Sequence, residues 1–448
     1  MKNNILSKAR KSAGKIHFLN NAKGLTSQAG LVPVVKFLDR MGVPESLDKL
    51  VAHHRGNSAV YTLTDVMLLT SVGLIGGATS FCKTVAVWSD DVLRQAGGWS
   101  RIPDDSTFGR IFKEVSEEQI MCLESANHHV RGKIWKTALR AGQSKIGAIR
   151  QIVVDVDSTV ITVFGYPEGA EKGYNPKKKG ALSYHPIMAF CCDTKEIMQA
   201  WYRSGSAYTS NGIVEFMKQL LAHLPGRIRI VFRGDSGFFD GALLAFLESL
   251  GHGYLIKVKL KNLRILMEKQ EWTEIPDKPG WEQCVFQHEC SGWGKSRSFV
   301  AVRSEQEEKP EAQLKLMEIK RYDYFCYVGT EQLSPWATHK EYGKRATCET
   351  WIDEAKNQVG VGQIRTGEFL ANAALFHCAV LAYNTIRWMA LMSGSTQLRS
   401  WEIQSFRTYL VRMAGKLLTG NKQLRIKTPK NHLYKNEWSD WVAVGLGL

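Results

Sequence analysis

The sequence predicts an α/β protein with a helical N-terminal region and a β-rich insertion, and three observations carry that reading. β-Branched runs at 151–160 and 227–232 each end near an acidic residue, and the second leads through a tight turn into a helical stretch at 242–250. Residues 31 to about 148 read as mostly helical. Residues 282–329 hold three runs of alternating character with turns between them.

Taken in order, residues 1–30 read as a mobile basic arm, in which Lys2, Lys8, Arg10, Lys11 and Lys15 stand without an acid. Residues 31–148 form the helical region, with helices expected at Thr62–Leu74, Thr107–Val115 and Glu117–Leu139. The turn Pro103-Asp104-Asp105-Ser106 leads into a helix carrying Arg110 and Lys113, which suits either a recognition helix or an ordinary core helix. A first core segment spans 149–258, with strands at Ile187–Cys192, Ile197–Tyr202 and Tyr254–Val258 and a helix at Gly212–Leu224. The insertion spans 259–332. A second core segment, 333–436, carries a helix at Phe369–Met392 and basic C-terminal helices, and 437–448 is a tail.

Composition narrows the function. The chain has 448 residues, enough for two or three domains, and 44% of them are apolar, ample for a packed core. Lysine and arginine number 59 against 43 acids, a net charge of +16, which favours a polyanionic partner. Basic residues cluster in the arm, at Lys177–Lys179, and between Ser405 and Asn436, where eight cations meet no acid. Nine cysteines without zinc spacing read as reduced thiols. No signal peptide is expected, and the apolar stretch Val66–Ala78 is too short to span a bilayer.

Three acidic sites then stand out. In the run at 151–160, Asp155 and Asp157 lie two apart and point to one side of the strand. Burying them is costly unless they are paired or bind a metal; a strand end opening to solvent is the other possibility. Asp235 follows the strand at 227–232, at the carboxyl edge where open α/β sheets place ligands. It also suits a plain turn aspartate or helix cap.

The third site is the stretch 342–356, with Tyr342, Arg345, Glu349 and Lys356. On one α-helix these fall at about 0°, 300°, 340° and 320°, a stripe roughly 60° wide. Thr338 and Glu341 match a capping box that would start this helix. A stripe of one carboxylate, two cations and a phenol suits a metal ion beside a phosphodiester. A solvated face with an Arg345–Glu349 pair would show the same spacing. Carboxylates from two strand ends and a helix fit two-metal phosphoryl transfer, in which ions about 4 Å apart stabilise attacking and leaving oxygens.

On these residues the chain resembles bacterial insertion-sequence transposases of the DDE class, in the IS4-like group, and within it the IS1380-type branch. The likeness rests on Asp157-Ser158-Thr159, on Arg233-Gly234-Asp235-Ser236-Gly237-Phe238, on Tyr342/Arg345/Glu349/Lys356, and on the segment 168–186. It implies an RNase H-like catalytic core, with Asp157, Asp235 and Glu349 binding two Mg²⁺ ions (Mn²⁺ substituting). It also implies DNA contacts by Tyr342, Arg345 and Lys356, and by Lys172, Lys177 and Lys179 along the transposon-end backbone, a flexible hairpin being the other reading of those three lysines. The DNA partners would be terminal inverted repeats and target DNA, the assembly a homodimer in the synaptic complex, and the place the cytoplasm, at the nucleoid, with no membrane. The 31–148 region would bind DNA. The step of 114 from Asp235 to Glu349 exceeds what a compact core needs, so an inserted subdomain is implied. Relatives use an aromatic of that insertion to hold a flipped base, for which Trp281, Trp293 and Trp336 are available, core packing being the other use. A stand-alone nuclease and a domesticated DNA-binding protein are the rival readings.

Overall fold

The structure, a computed structural model, describes residues 16–50, 59–146, 148–176, 178–226, 228–306, 321–363, 366–420 and 423–448. Residues 1–15 of the basic arm and Lys177 lie outside the described residues.

After a two-residue strand β1 (Leu25–Thr26), the N-terminal part is helical. It comprises α1 (Leu31–Met41), α2 (Val43–Leu50), α3 (Leu63–Gly76), α4 (Phe81–Trp88), α5 (Asp91–Ala96), α6 (Asp105–Lys113) and α7 (Glu117–Arg140). Side-chain caps set the starts. Thr62 and Asp65 form a capping box on α3, and Ser116 with Gln119 forms one on α7. Helix α6 begins two residues earlier than Thr107, because Asp104 accepts from the Thr107 amide and so is itself the cap.

The middle of the chain runs β2 (Gln151–Ser158), β3 (Ile161–Thr162), β4 (Glu171–Lys172), β5 (Leu182–Tyr184), β6 (Ile187–Cys191), β7 (Ile197–Trp201), α8 (Ile213–Ala222), β8 (Arg229–Gly234), α9 (Gly241–Ser249) and β9 (Gly253–Lys257). Then come α10 (Leu263–Glu268), β10 (Thr273–Glu274), β11 (Trp281–His288), β12 (Arg297–Glu305) and β13 (Tyr322–Gly329). The remainder holds α11 (Pro335–Gly343), α12 (Ala346–Asp353), α13 (Phe369–Met392), α14 (Thr396–Ser400), α15 (Ile403–Phe406), β14 (Gly415–Gly420), β15 (Gln423–Lys427) and α16 (Lys435–Leu446).

One nine-stranded mixed sheet organises the molecule, in the order β10-β11-β12-β13-β9-β8-β2-β6-β7. Strand β8 runs parallel to both β2 and β9, and the remaining pairs are antiparallel. The strands between 273 and 329 therefore extend the same sheet through the β13–β9 pairing. Alternation decides what covers each face. Phe190 lies opposite Asp155 and touches Trp351 of α12 and Tyr383 of α13, so α12 and α13 cover the face that carries the acids. Trp201 belongs to the other face and meets Phe216 of α8. Helix α13 is apolar all round and buried, and α3 and α7 pack against it. It is long and apolar enough to cross a bilayer by length and composition, but 89% of that stretch is buried within the protein, so it serves as a core helix.

Three sequence expectations change at the chain ends. The basic C-terminal part is not all helical: β14 and β15 form an antiparallel hairpin that pairs with β1. The reason is a period of two, with Lys416 opposite Lys427 on one face and Leu417 opposite Ile426 on the other. The expected tail is helix α16, anchored where Trp441 is buried and donates to the Gly30 carbonyl at 3.0 Å. And the N-terminal arm is tied down from Leu25 onward by its pairing with β14.

Candidate active site

Strand register brings the first two acids together. Along the parallel β2–β8 ladder Asp155 lies opposite Arg233 and Val156 opposite Gly234. The next step sets Asp157 beside Asp235, where Gly234-Asp235 leaves the sheet. Asp235 ends the strand by capping a short 3₁₀ turn, accepting from the Gly237 amide at 2.9 Å. Its other oxygen has no partner among the described residues. Asp157 accepts from the Ser158 amide at 2.8 Å through Oδ1.

The third acid arrives on a helix that is built differently from the sequence expectation. The capping box of Thr338 and Glu341 does not form. Ser334 is the cap and Pro335 the first helical residue, which suits proline because its missing N–H is needed by no partner there. Thr338 instead donates to the Ser334 carbonyl. Nor is 342–356 one straight helix: α11 ends at Gly343, α12 starts at Ala346, and residues Glu354–Gln358 form a π-helical turn. The stripe nevertheless gathers over the acidic face of β2. Arg345, nearly buried, donates to Asp157 Oδ2 at 2.6 Å and to Glu349 Oε1 at 3.3 Å. Lys356 donates to Thr159 at 3.3 Å and to the Val160 carbonyl, so it grips the chain just beyond β2. The Tyr342 ring packs on Tyr327 with centroids 4.7 Å apart.

Electrostatics show how tightly the charges are grouped. Burial pushes the Asp157 carboxyl up to about 6 against the pull of Arg345, and the negative charges of Asp235 and Glu349 push the same way. The Tyr342 phenol is pushed up to about 12, chiefly by burial, with Asp235, Asp157 and Glu349 adding to it. Arg345 is held even more firmly protonated by Asp157, Tyr342 and Asp235, although burial opposes this. Its Nε is buried without a partner among the described residues. Glu349, 67% exposed, opens the group to solvent.

Asp155 takes another course. It is fully buried and receives both Arg233 Nε (2.6 Å) and Nη2 (2.8 Å), while Arg233 Nη1 reaches the carbonyl and carboxylate of Glu341. Asp155 is thus a structural anion. Sequence reasoning placed Arg233 in a motif but missed its role as the partner of Asp155. The signal was an acid inside a buried run, which demands a cation, but the parallel register that supplies it is invisible in sequence.

Sequence reading also missed the support beneath the two aspartates. His185 accepts or donates at Ser158 Oγ (2.9 Å) and faces the Ala207 carbonyl with Nδ1 (2.6 Å). Since a carbonyl can only accept, Nδ1 carries the proton and Ser158 donates to Nε2 of the neutral ring. Ser158 also meets Thr209 at 3.4 Å, and Arg203 donates to the Tyr208, Thr209 and Asn211 carbonyls. The loop 203–212 is therefore fastened next to both aspartates.

The remaining expected residues are spread out. Lys179 is exposed in the turn before β5, and Lys177 lies outside the described residues. Trp293 packs on Phe239 and under Arg297, while Trp281 and Trp336 pack together with His339. His377 is a core histidine beside Glu124 at 3.1 Å.

Among the described residues, no three His, Cys, Asp or Glu side chains already stand close enough to hold a metal. Arg345 stands between Asp157 and Glu349 instead. The donor set still fits a hard divalent cation: its oxygens are carboxylate oxygens, and Asp157 is raised chiefly by burial, with Asp235 and Glu349 adding to it, against the pull of one arginine.

Residues 8–444 match the family described as Transposase DDE domain group 1. A search of curated proteins finds none that matches the sequence. Among solved structures, the chain is similar to one in the cryo-EM structure of the piggyBac transposase synaptic complex with hairpin DNA. That likeness has a TM-score of 0.43 and 12% identity, over 86% of this chain and 80% of the other. With nearly its whole length matched, the chain belongs to the DDE transposase family.

Proposed function

We propose that the protein is an insertion-sequence transposase of the IS4-like group, of the IS1380 type, which binds transposon ends, cleaves the DNA and joins its 3′ ends to target DNA. The observation that supports this best is the pairing of Asp157 and Asp235 at neighbouring parallel strand ends, with Glu349 brought over them through Arg345. In this reading the nine-stranded sheet contains an RNase H-like core, 259–332 is an insertion into it, and 31–148 is a DNA-binding region. Asp157, Asp235 and Glu349 would hold divalent magnesium, with manganese as a substitute. Bound there, the metal lowers the pKa of attacking water and stabilises charge on the leaving oxygen.

The chain's own groups do the rest. Arg345 offers a planar guanidinium beside Asp157 and Glu349, a group suited to a phosphate oxygen. Tyr342, kept protonated, donates a hydrogen bond to the same backbone. Lys356 fixes the chain after β2 and so the direction of Asp157. The exposed cations of the C-terminal hairpin and Lys179 add charge for the DNA backbone, and two copies act together at paired ends in the cytoplasm. The decisive experiment is cleavage of DNA carrying the inverted repeats that flank the gene, with magnesium and with chelator. Strand cleavage at the repeat ends that vanishes in Asp235→Asn supports the proposal. Cleavage without end preference would favour a stand-alone nuclease, and binding without cleavage a domesticated DNA-binding protein.

A further inference from the structure

Beyond Ser158 the chain leaves the main sheet and builds a small lobe: the three-stranded sheet β3-β5-β4, with loop 203–212 packed against it. Among the described residues five aromatic rings are largely exposed, and four of them belong to this lobe: Phe164 (86%), Tyr166 (95%), Tyr174 (70%) and Tyr208 (72%). Single exposed rings need no explanation, but a group of four on one small lobe does. None of the four stacks on another ring among the described residues.

The backbone that carries Tyr174 and Tyr208 is held in place. Asn175 donates to Thr162 at 2.9 Å and accepts from the Lys178 amide at 3.0 Å, which fixes the loop of Tyr174 on β3. At Gly173 that loop lies against loop 203–212 so closely that a Cβ would sit 1.8 Å from the Gly205 carbonyl oxygen. Tyr208 follows three residues later, where Arg203 holds its carbonyl.

Charge selects the partner. The two acids of the segment, though exposed, each hold a hydrogen bond to a neighbouring loop. Glu171 accepts from Ser204 at 2.8 Å, and Glu168 accepts from the Phe369 amide at 2.9 Å. Lys178 and Lys179 are left without a carboxylate among the described residues, and Lys178 lies over the Phe164 ring at 5.3 Å. Exposed rings interleaved with lysines that hold no carboxylate, two of the rings on tethered loops, are what an unpaired nucleotide strand requires. Each base finds a face to stack on, and each phosphate finds a cation. An apolar protein partner would need no such lysines. The lobe also begins at the site itself, since Ser158 is held by His185 and Val160 by Lys356.

We propose that this lobe is a stacking platform for unpaired bases of the DNA strand that leads away from Asp157. It rests on the transposase reading and extends it. The substrate of the site would then be a frayed or single-stranded segment rather than a closed duplex, with Tyr166 and Tyr174 as its principal base contacts.

The test is fluorescence anisotropy of the full chain with a short labelled oligothymidylate and with a duplex of equal length, at several salt concentrations. Tyr166→Ala and Tyr174→Ala should each weaken oligothymidylate binding by about 5- to 100-fold while changing duplex binding much less. Tyr166→Phe and Tyr174→Phe should bind as the parent does, because stacking uses the ring and not the hydroxyl. Lys178→Gln with Lys179→Gln should lower the salt slope for the single strand by about 0.7 per lysine. These positions are exposed, so melting temperatures should stay the same. Parent-like oligothymidylate binding by both alanine variants, with duplex binding intact, overturns the platform and leaves the transposase reading standing. So does equal loss on both DNAs, or a change of oligomeric state without a change in strand binding. A parent protein that binds neither DNA at low salt overturns both readings.

Discussion

Two neighbouring levels of one sheet face are built from the same parts and come out differently. At the inner level Asp155, Arg233 and Glu341 meet; two residues further along the strand, Asp157, Arg345 and Glu349 meet. Each level has a strand aspartate, an arginine and a helix glutamate. Inside, the arginine comes from the adjacent strand and grips the aspartate with two nitrogens in a fully buried pair. Outside, the arginine comes from the helix, makes one short bond, and leaves its Nε unused, while Asp235 adds a third negative charge. The inner level is closed by its pairing. The outer one keeps an excess of negative charge that a cation would relieve. Position along a strand, not residue type, separates the closed acid pair from the open acid group here.

The largest effect expected from the difference is on chemistry. Asp235→Asn should reduce end cleavage by about a thousandfold or more, since several kcal/mol of transition-state stabilisation depend on the metal it would help hold. Binding to end DNA should persist, because phosphate contacts supply most affinity. Equal loss of binding and cleavage, by gel shift and cleavage assay, would return Asp235 to a purely structural role.

The inner level should fail in stability instead. Arg233→Ala strands a buried carboxylate, which costs about 3–5 kcal/mol. Chemical denaturation should show that loss, and a variant as stable as the parent would dissolve the contrast between the levels. Arg345→Ala should sit opposite. Its loss of stability should be no more than about 1–2 kcal/mol, because Asp157 is partly open to water and already carries excess repulsion. Its cleavage should fall about 10- to 100-fold, with Arg345→Lys recovering only part, since an ammonium cannot reproduce the fork.

The sequence carried the outer level well and the inner level poorly. Asp157, Asp235 and Glu349 each sit in a recognisable local pattern: a β-branched run, a Gly-Asp-Ser-Gly turn, a helix with cations at close spacing. Such patterns survive because they are local. Arg233 with Asp155 and His185 with Ser158 depend on which strands are neighbours and in which register, and neither is written in a local pattern. The same limit explains the helix. The positions of Tyr342, Arg345 and Glu349 were legible, but the break at Lys344–Arg345 and the π-helical turn were not, since tertiary packing over the sheet sets both. At the C-terminus, charge alone suggested solvated helices, whereas the alternation of Leu417 and Ile426 with lysines makes a hairpin.

The smallest expected effect sharpens the comparison through pH. Asp157 titrates near 6 in the folded protein and near 4 when unfolded. Between those values the folded state binds more protons than the unfolded one, so stability falls as pH rises from about 4 to about 6 and is then level. Without divalent metal this group should remove about 2 kcal/mol of stability across that window. Asp235→Asn takes away one of the charges that cause the repulsion. It should therefore lessen the loss, the larger cause of which is burial, and raise the neutral-pH melting temperature of the metal-free protein by about 1–3 °C. Magnesium should raise the parent's melting temperature at pH 7 and do much less at pH 4, where Asp157 holds its proton. Melting curves at several pH values, with and without magnesium, distinguish this from the alternative in which Arg345 alone satisfies Asp157. In that case the acid would be stabilised in its charged form, stability would rise rather than fall with pH, and magnesium would have no purchase on the melting temperature.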